Sequence, residues 1–180
     1  MNRRALALDV LACHRVVTVR QLDRLYGVPP RVLTGLPRIT LTVAPVHMRA
    51  SLLVDATFVA LTEHTLSCAP LGALSHLAGT AEMQAALDVP LGAWQVLPSG
   101  RGGNRPDAEF LDTNGFDRHA VEFDSGTYSR ATVQEKLASF RTGYLSTVWG
   151  VGSALRAERL RDLVPNVIQV QWWTSERRHD

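Results

Sequence analysis

The sequence predicts an α/β fold in which an arginine-rich, helical N-terminal segment precedes a mixed sheet flanked by helices. Up to residue 66, short helical patterns are followed by two β patterns; from residue 73 the order is helix, three strands, helix, strand, helix, strand. We therefore predict two domains, over residues 1–66 and 73–175. The hydrophobic fraction of 46% and the charged fraction of 20% are typical of a globular chain of 180 residues.

The N-terminal domain is predicted to be a winged helix-turn-helix. Apolar residues recur at helical spacing over 5–14, and Thr18 is a suitable N-cap for a helix that ends at Gly27. The two prolines that follow open a third short helix over 31–36. Two β patterns then predict the hairpin of a wing, over residues 38–46 and 51–61.

The basic charge of the chain is concentrated at its N-terminus. Residues 1–50 contain eight arginines and only two acidic residues, whereas residues 51–100 contain four acidic residues and no lysine or arginine. Such an asymmetry favours an anionic partner, and double-stranded DNA is the one we expect.

In a winged helix, the third helix enters a groove of the DNA. Arg31 and Arg38 are then the expected groove contacts, with Arg20 and Arg24 nearer to phosphates. A three-helix unit of this kind can equally serve protein contact, so a homodimer is also possible.

Several other function classes are not indicated by the sequence. No run approaches the ~18 apolar residues of a membrane span, and the N-terminus lacks an apolar signal core, so we expect a cytoplasmic protein with no membrane partner. Cys13 and Cys68 are expected to be small buried residues outside any disulfide or zinc site. The six histidines show no metal-ligand spacing and are interpreted as isolated polar residues.

The elements of the second domain follow from periodicity and turn residues. Helices are predicted over 74–87, 130–144 and 154–163, and strands over 93–97, 108–111, 119–123, 147–151 and 167–173. In the last strand, Trp172 and Trp173 would point to opposite faces. One indole would then pack in the core, and the other would be open for base stacking or a dimer contact.

Acidic residues gather at neighbouring strands of this domain. Glu122 and Asp124 are two residues apart on one strand, so their side chains share a face, while Val121 and Phe123 pack on the other. If Asp107 lies on the adjacent strand, three carboxylates converge and repel each other unless they share a cation. Oxygen ligands favour Mg²⁺ or Mn²⁺, which makes Asp107, Glu122 and Asp124 the candidate metal ligands.

The only lysine of the chain, Lys136, lies at the border of the apolar stripe of the helix that follows. Its ammonium group can therefore reach the carboxylates while its stem runs along the sheet. In a phosphodiester hydrolase, Asp107, Glu122, Asp124 and Lys136 would form the catalytic set. The carboxylates would hold the metal, and the lysine would orient the nucleophile or stabilise the developing charge.

The order of elements, together with Pro106-Asp107 and Glu122-Phe123-Asp124, resembles the PD-(D/E)xK nuclease-like superfamily. Residues 105–108, 121–127 and 135–141 also look like those of the replication-relaxation proteins of plasmids and bacterial genomes. That family joins a winged helix to such a nuclease-like core, and His76 falls at a plausible matching place.

The chain departs from the superfamily in having Asp124 where its nucleases usually carry lysine. Lys136 on the following helix matches a known relocation of that lysine, but many members with altered motifs bind DNA or proteins without catalysis. The resemblance implies a DNA-binding accessory or regulatory factor in replication or relaxation. A divalent-metal-dependent DNA endonuclease is one alternative. The other is a non-catalytic protein-interaction module in which the acidic residues surround Lys136 as a structural site.

Overall fold

The structure, a computed structural model, describes residues 2–45, 53–98 and 105–173. These residues form six α-helices, two 3₁₀ helices and eight strands. The α-helices are α1 Arg3–His14, α2 Val19–Tyr26, α3 Glu63–Ser67, α4 Leu71–Ala86, α5 Arg130–Phe140 and α6 Ala154–Leu160. The strands are β1 Val16–Thr18, β2 Arg38–Val43, β3 Val54–Ala60, β4 Trp94–Val96, β5 Ala108–Leu111, β6 Arg118–Asp124, β7 Ser146–Val151 and β8 Asn166–Gln169. None of the helices in these ranges is long and apolar enough to cross a membrane.

The N-terminal unit is a three-stranded antiparallel sheet, in the order β1-β3-β2, with α1 and α2 packed on it. The predicted start and end of α2 are confirmed. Thr18 accepts the backbone N–H of Gln21, whose side chain bonds back to Thr18 N, and Gly27 ends the helix in the left-handed region at φ 60°. The predicted strands form β2 and β3, and their connection at residues 46–52 lies outside the described residues.

The third helix expected over 31–36 is wrong. The chain forms only one 3₁₀ turn, Pro30–Leu33, and Gly35 at φ 79° then redirects it toward β2. Arg4 on α1 donates to the carbonyls of Val32 and Thr34, both at 2.7 Å, and so binds acceptors that a longer helix would use internally.

The second unit is a five-stranded sheet in the order β4-β5-β6-β7-β8. Strands β4, β5 and β6 are antiparallel, whereas β6, β7 and β8 are parallel and joined through α5 and α6. Phe123 and Val121 face α4 on one side of this sheet, and Ala120 and Trp149 face α5 and α6 on the other. The predicted mixed sheet flanked by helices is therefore present.

Helix α4 lies between the two sheets and packs closely on the second. At Gly79, a Cβ would overlap the ring of Phe123, and at Gly150 on β7 it would overlap Met83. The buried apolar cluster is continuous from β3 through α4 to β6. The predicted boundary at residues 66–73 falls at the junction of α3 and α4, within this continuous core.

Two expectations about individual side chains are wrong. Strand β8 ends at Gln169, and Trp172 and Trp173 are both buried, with Trp172 packed 5.9 Å from the Phe58 ring on β3. Neither indole is therefore open for base stacking or a dimer contact. Both cysteines are free thiols, as expected, but Cys68 is exposed.

Candidate functional site

Asp107 lies immediately before β5 and is fixed to β6 through its backbone and its side chain. Its N–H bonds to the carbonyl of Val121 at 3.0 Å, and its Oδ2 accepts the N–H of Phe123 at 2.7 Å. Its Oδ1 lies 2.7 Å from Nε2 of His76 on α4. The antiparallel pairing of β5 with β6 thus brings Asp107 beside the strand that carries Glu122 and Asp124.

Glu122 is fully buried at the centre of the site. Its Oε1 accepts hydrogen bonds from Lys136 Nζ at 2.8 Å and from the hydroxyl of Tyr128 at 2.9 Å. Its Oε2 is buried and has no hydrogen-bond partner among the described residues. One carboxylate oxygen is therefore satisfied, and the other is open to a further donor or cation.

Lys136 occupies the position predicted for it, on α5 over β6. Its side chain is 13% exposed, and its ammonium lies 5.3 Å from the ring centre of Tyr128 and 5.8 Å from that of Phe140. The ammonium also lies 3.4 Å from the carbonyl of Arg105. The apolar and aromatic contacts hold the lysine against Glu122.

Asp124 is also buried but has different partners. Arg156 on α6 donates to its Oδ2 from Nε at 2.9 Å and from Nη2 at 2.5 Å, and Gly126 N–H donates to Oδ1 at 2.7 Å. Arg156 also bonds to the carbonyl of Tyr128 at 2.6 Å and so fixes the turn from β6 to α5. Asp124 therefore belongs to a structural ion pair on the α6 side of the site.

The burial of the site shifts the pKa values of its ionisable groups. Burial raises the pKa of Glu122 well above its usual range, and the charge of Asp107 adds to the shift, while Lys136 and Tyr128 oppose it. Burial alone would lower the pKa of His76, but the Asp107 carboxylate outweighs it, so the His76 pKa is raised. The pKa of Tyr128 is raised, first by burial and then by Glu122.

The fit to a divalent cation is partial. The unpartnered Oε2 of Glu122 and the adjacent Asp107 are suitable oxygen donors. Asp124 is bound by Arg156, and the part of the chain that the structure describes contains no group of three His, Cys, Asp or Glu side chains placed to hold a metal ion. Of the three predicted ligands, Glu122 alone has a carboxylate oxygen without a partner in the described part of the chain.

The structure also adds residues that the spacing did not reveal. Tyr128 and Arg156 were not singled out, and His76 is paired with Asp107, so its interpretation as an isolated polar residue is wrong. A weak signal existed for Tyr128, which closely follows the acidic strand. Arg156 comes into reach only when β7 pairs with β6, and no local pattern reports that pairing.

The predicted DNA-contacting arginines differ in their surroundings. Arg31 and Arg38 are exposed and have no side-chain partner among the described residues. Arg24 forms an ion pair at 2.7 Å with Glu82 on α4, and Arg20 is exposed on α2. Of the four arginines, Arg31 and Arg38 therefore have side chains that are free, within the described chain, to contact a partner molecule.

Comparisons with protein families, with curated proteins and with solved structures found no match for this chain.

Proposed function

We propose that this protein binds double-stranded DNA through its N-terminal unit and acts as an accessory or regulatory factor in replication or relaxation of a replicon. Two exposed arginines that have no partner within the described chain, Arg31 and Arg38, are the observation that carries this proposal. Two further features support the proposal: α1 and α2 pack on a three-stranded antiparallel sheet, and the αβββαβ order of the second unit resembles that of a PD-(D/E)xK-like core.

The short 3₁₀ turn indicates whether the protein would contact base edges or phosphates. A recognition helix reads base edges with several side chains along its length, and Pro30–Leu33 is a single turn. Contacts from Arg31 and Arg38 would be made mainly to phosphates. We therefore expect affinity that depends strongly on salt and little on base sequence.

Fluorescence anisotropy with a labelled duplex of mixed sequence tests this proposal. Replacing both Arg31 and Arg38 by alanine should weaken binding about tenfold or more at low salt, since each contact is a charge-assisted hydrogen bond. Arg159→Ala, which removes an exposed arginine from α6, is the matched control and should bind like the parent. Equal binding by all three proteins, or no binding by the parent, would refute the proposal.

A second function, cleavage of DNA with Mg²⁺ or Mn²⁺, is favoured by one specific contact. Lys136 lies 2.8 Å from Glu122, whose second oxygen is unpartnered, and Asp107 is adjacent. In that reaction Asp107 and Glu122 would hold the metal, which supplies an activated water, and Lys136 would stabilise charge on the phosphate.

Supercoiled plasmid distinguishes this second function from binding alone. An active nuclease should nick or linearise the plasmid with Mg²⁺ or Mn²⁺, and Asp107→Asn should abolish cleavage while Asp112→Asn, in the β5–β6 turn, should leave it intact. If the parent leaves the plasmid supercoiled, or if Asp107→Asn cleaves as well as the parent, the nuclease function is excluded.

A further inference from the structure

A cavity of about 510 Å³ opens beside the site, between the N-terminal unit and the second sheet. Its walls come from the residue after α1, from α3, from the first turns of α4 and from the loop after β6. A cavity of this volume lies in the range of small-ligand sites, which cover roughly 300–1,000 Å³.

Some of the residues that line the cavity carry unpaired polar groups. Arg15, Ser125 and Thr127 line it, and none of their side chains has a partner among the described residues. Arg15 has a left-handed backbone at φ 67°, which is uncommon for a residue other than glycine. A guanidinium and two hydroxyls that line one cavity are a donor set suited to a phosphate group.

Both oxygens of Asp107, which also lines the cavity, already have partners. One of its oxygens lies 2.7 Å from His76 Nε2, and the other accepts the N–H of Phe123. Among the lining residues that the structure describes, Arg15 is therefore the charged residue whose side chain has no partner.

Aliphatic residues also line the cavity. They are Pro70, Ala73, Leu77 and Leu97, and they provide an apolar surface for the rest of a ligand. Inorganic phosphate would leave these aliphatic side chains exposed to water, whereas the organic part of a phosphate ester would cover them.

We propose that this cavity binds a phosphate monoester of nucleotide size, with Arg15 and the hydroxyls of Ser125 and Thr127 on the phosphate. The same chemistry is offered by a free nucleotide and by the 5′-phosphorylated end of a DNA strand. The site goes beyond the duplex contacts proposed for Arg31 and Arg38 and does not depend on them.

Binding of thymidine 5′-monophosphate, followed by titration calorimetry, tests the site, with thymidine as the probe that lacks the phosphate. The parent should bind the monophosphate at least tenfold more tightly than thymidine. Arg15→Gly, chosen because glycine accepts the positive φ, should abolish that difference. Thr127→Val should reduce it, and Arg159→Ala should leave it unchanged.

Single-stranded oligonucleotides with and without a 5′-phosphate show whether the ligand is a strand end or a free nucleotide. A preference for the phosphorylated strand that is lost in Arg15→Gly indicates a strand end; binding of the monophosphate without that preference indicates a free nucleotide. The proposal is overturned if the parent does not distinguish phosphorylated from unphosphorylated probes, or if Arg15→Gly and Thr127→Val both bind like the parent. Binding of closed circular duplex, which has no strand end, reports separately on Arg31 and Arg38.

Discussion

Replacing Lys136 by methionine should destabilise the protein, and the loss should grow with pH. Methionine keeps an apolar stem against Tyr128 and Phe140 but leaves Glu122, which is fully buried, without its cation. Removing one partner of a buried ion pair costs about 3–5 kcal/mol. Tyr128 still donates to the same oxygen, and the carboxyl can bind a proton, so we expect the full loss, about 3 kcal/mol, only at pH values well above the Glu122 pKa of about 8.

The pH dependence follows from the raised pKa of Glu122. Below that pKa, Glu122 is neutral in both proteins, and the variant loses only a hydrogen bond, about 1 kcal/mol. As the pH rises through the pKa, the parent gains the attraction between Lys136 and the carboxylate, which the variant lacks. The difference in the free energy of unfolding should therefore widen between acidic and mildly alkaline pH.

Urea unfolding of the parent and Lys136→Met at pH 5 and pH 8.5 measures this difference. Glu135→Ala, an exposed neighbour on α5, is the control and should lie within about 0.5 kcal/mol of the parent. Adding Glu122→Gln to Lys136→Met should recover most of the loss, because no charge is then left buried. A loss that is equal at both pH values, or that is smaller than about 0.5 kcal/mol at pH 8.5, would refute this reasoning.

The remaining two predictions concern packing around α4. Burial lowers the pKa of His14 to about 4, so the unfolded chain binds a proton that the folded protein excludes. The free energy of unfolding is therefore at its full value above about pH 6.5 and should fall by about 3 kcal/mol as the pH drops toward 4. Urea midpoints across this range should show the loss in the parent but not in His14→Gln, and identical profiles would contradict it. Gly79→Ala should cost about 1–3 kcal/mol in thermal or urea unfolding because its methyl overlaps Phe123. Gly72→Ala, in open space on the same helix, should cost nothing, and equal effects at the two glycines would contradict the close packing.

Local signals predicted much of the fold. The strand predicted over 108–111 is β5 at the same bounds, and the cap at Thr18 and the stop at Gly27 are both present. The alternation in β6 correctly placed Val121 and Phe123 opposite Glu122 and Asp124. These features depend on residues close in sequence, and periodicity and capping report on such residues directly.

Features that depend on distant contacts were missed. The 3₁₀ turn at Pro30–Leu33 reflects hydrogen bonds from Arg4, about 30 residues earlier in the chain, to the following carbonyls. β1 has only three residues and is defined by pairing with β3. The partners of the acidic residues, His76 for Asp107 and Arg156 for Asp124, lie on other helices, so only the tertiary fold brings them together.

The salt dependence of duplex binding tests the proposed DNA-binding function most directly. The logarithm of the parent's association constant should fall linearly with the logarithm of the salt concentration. Replacing both Arg31 and Arg38 by alanine should make that slope shallower by about 2, since each phosphate contact contributes about 0.9. A parent that fails to bind duplex at low salt, or a double variant with an unchanged slope, would contradict the account.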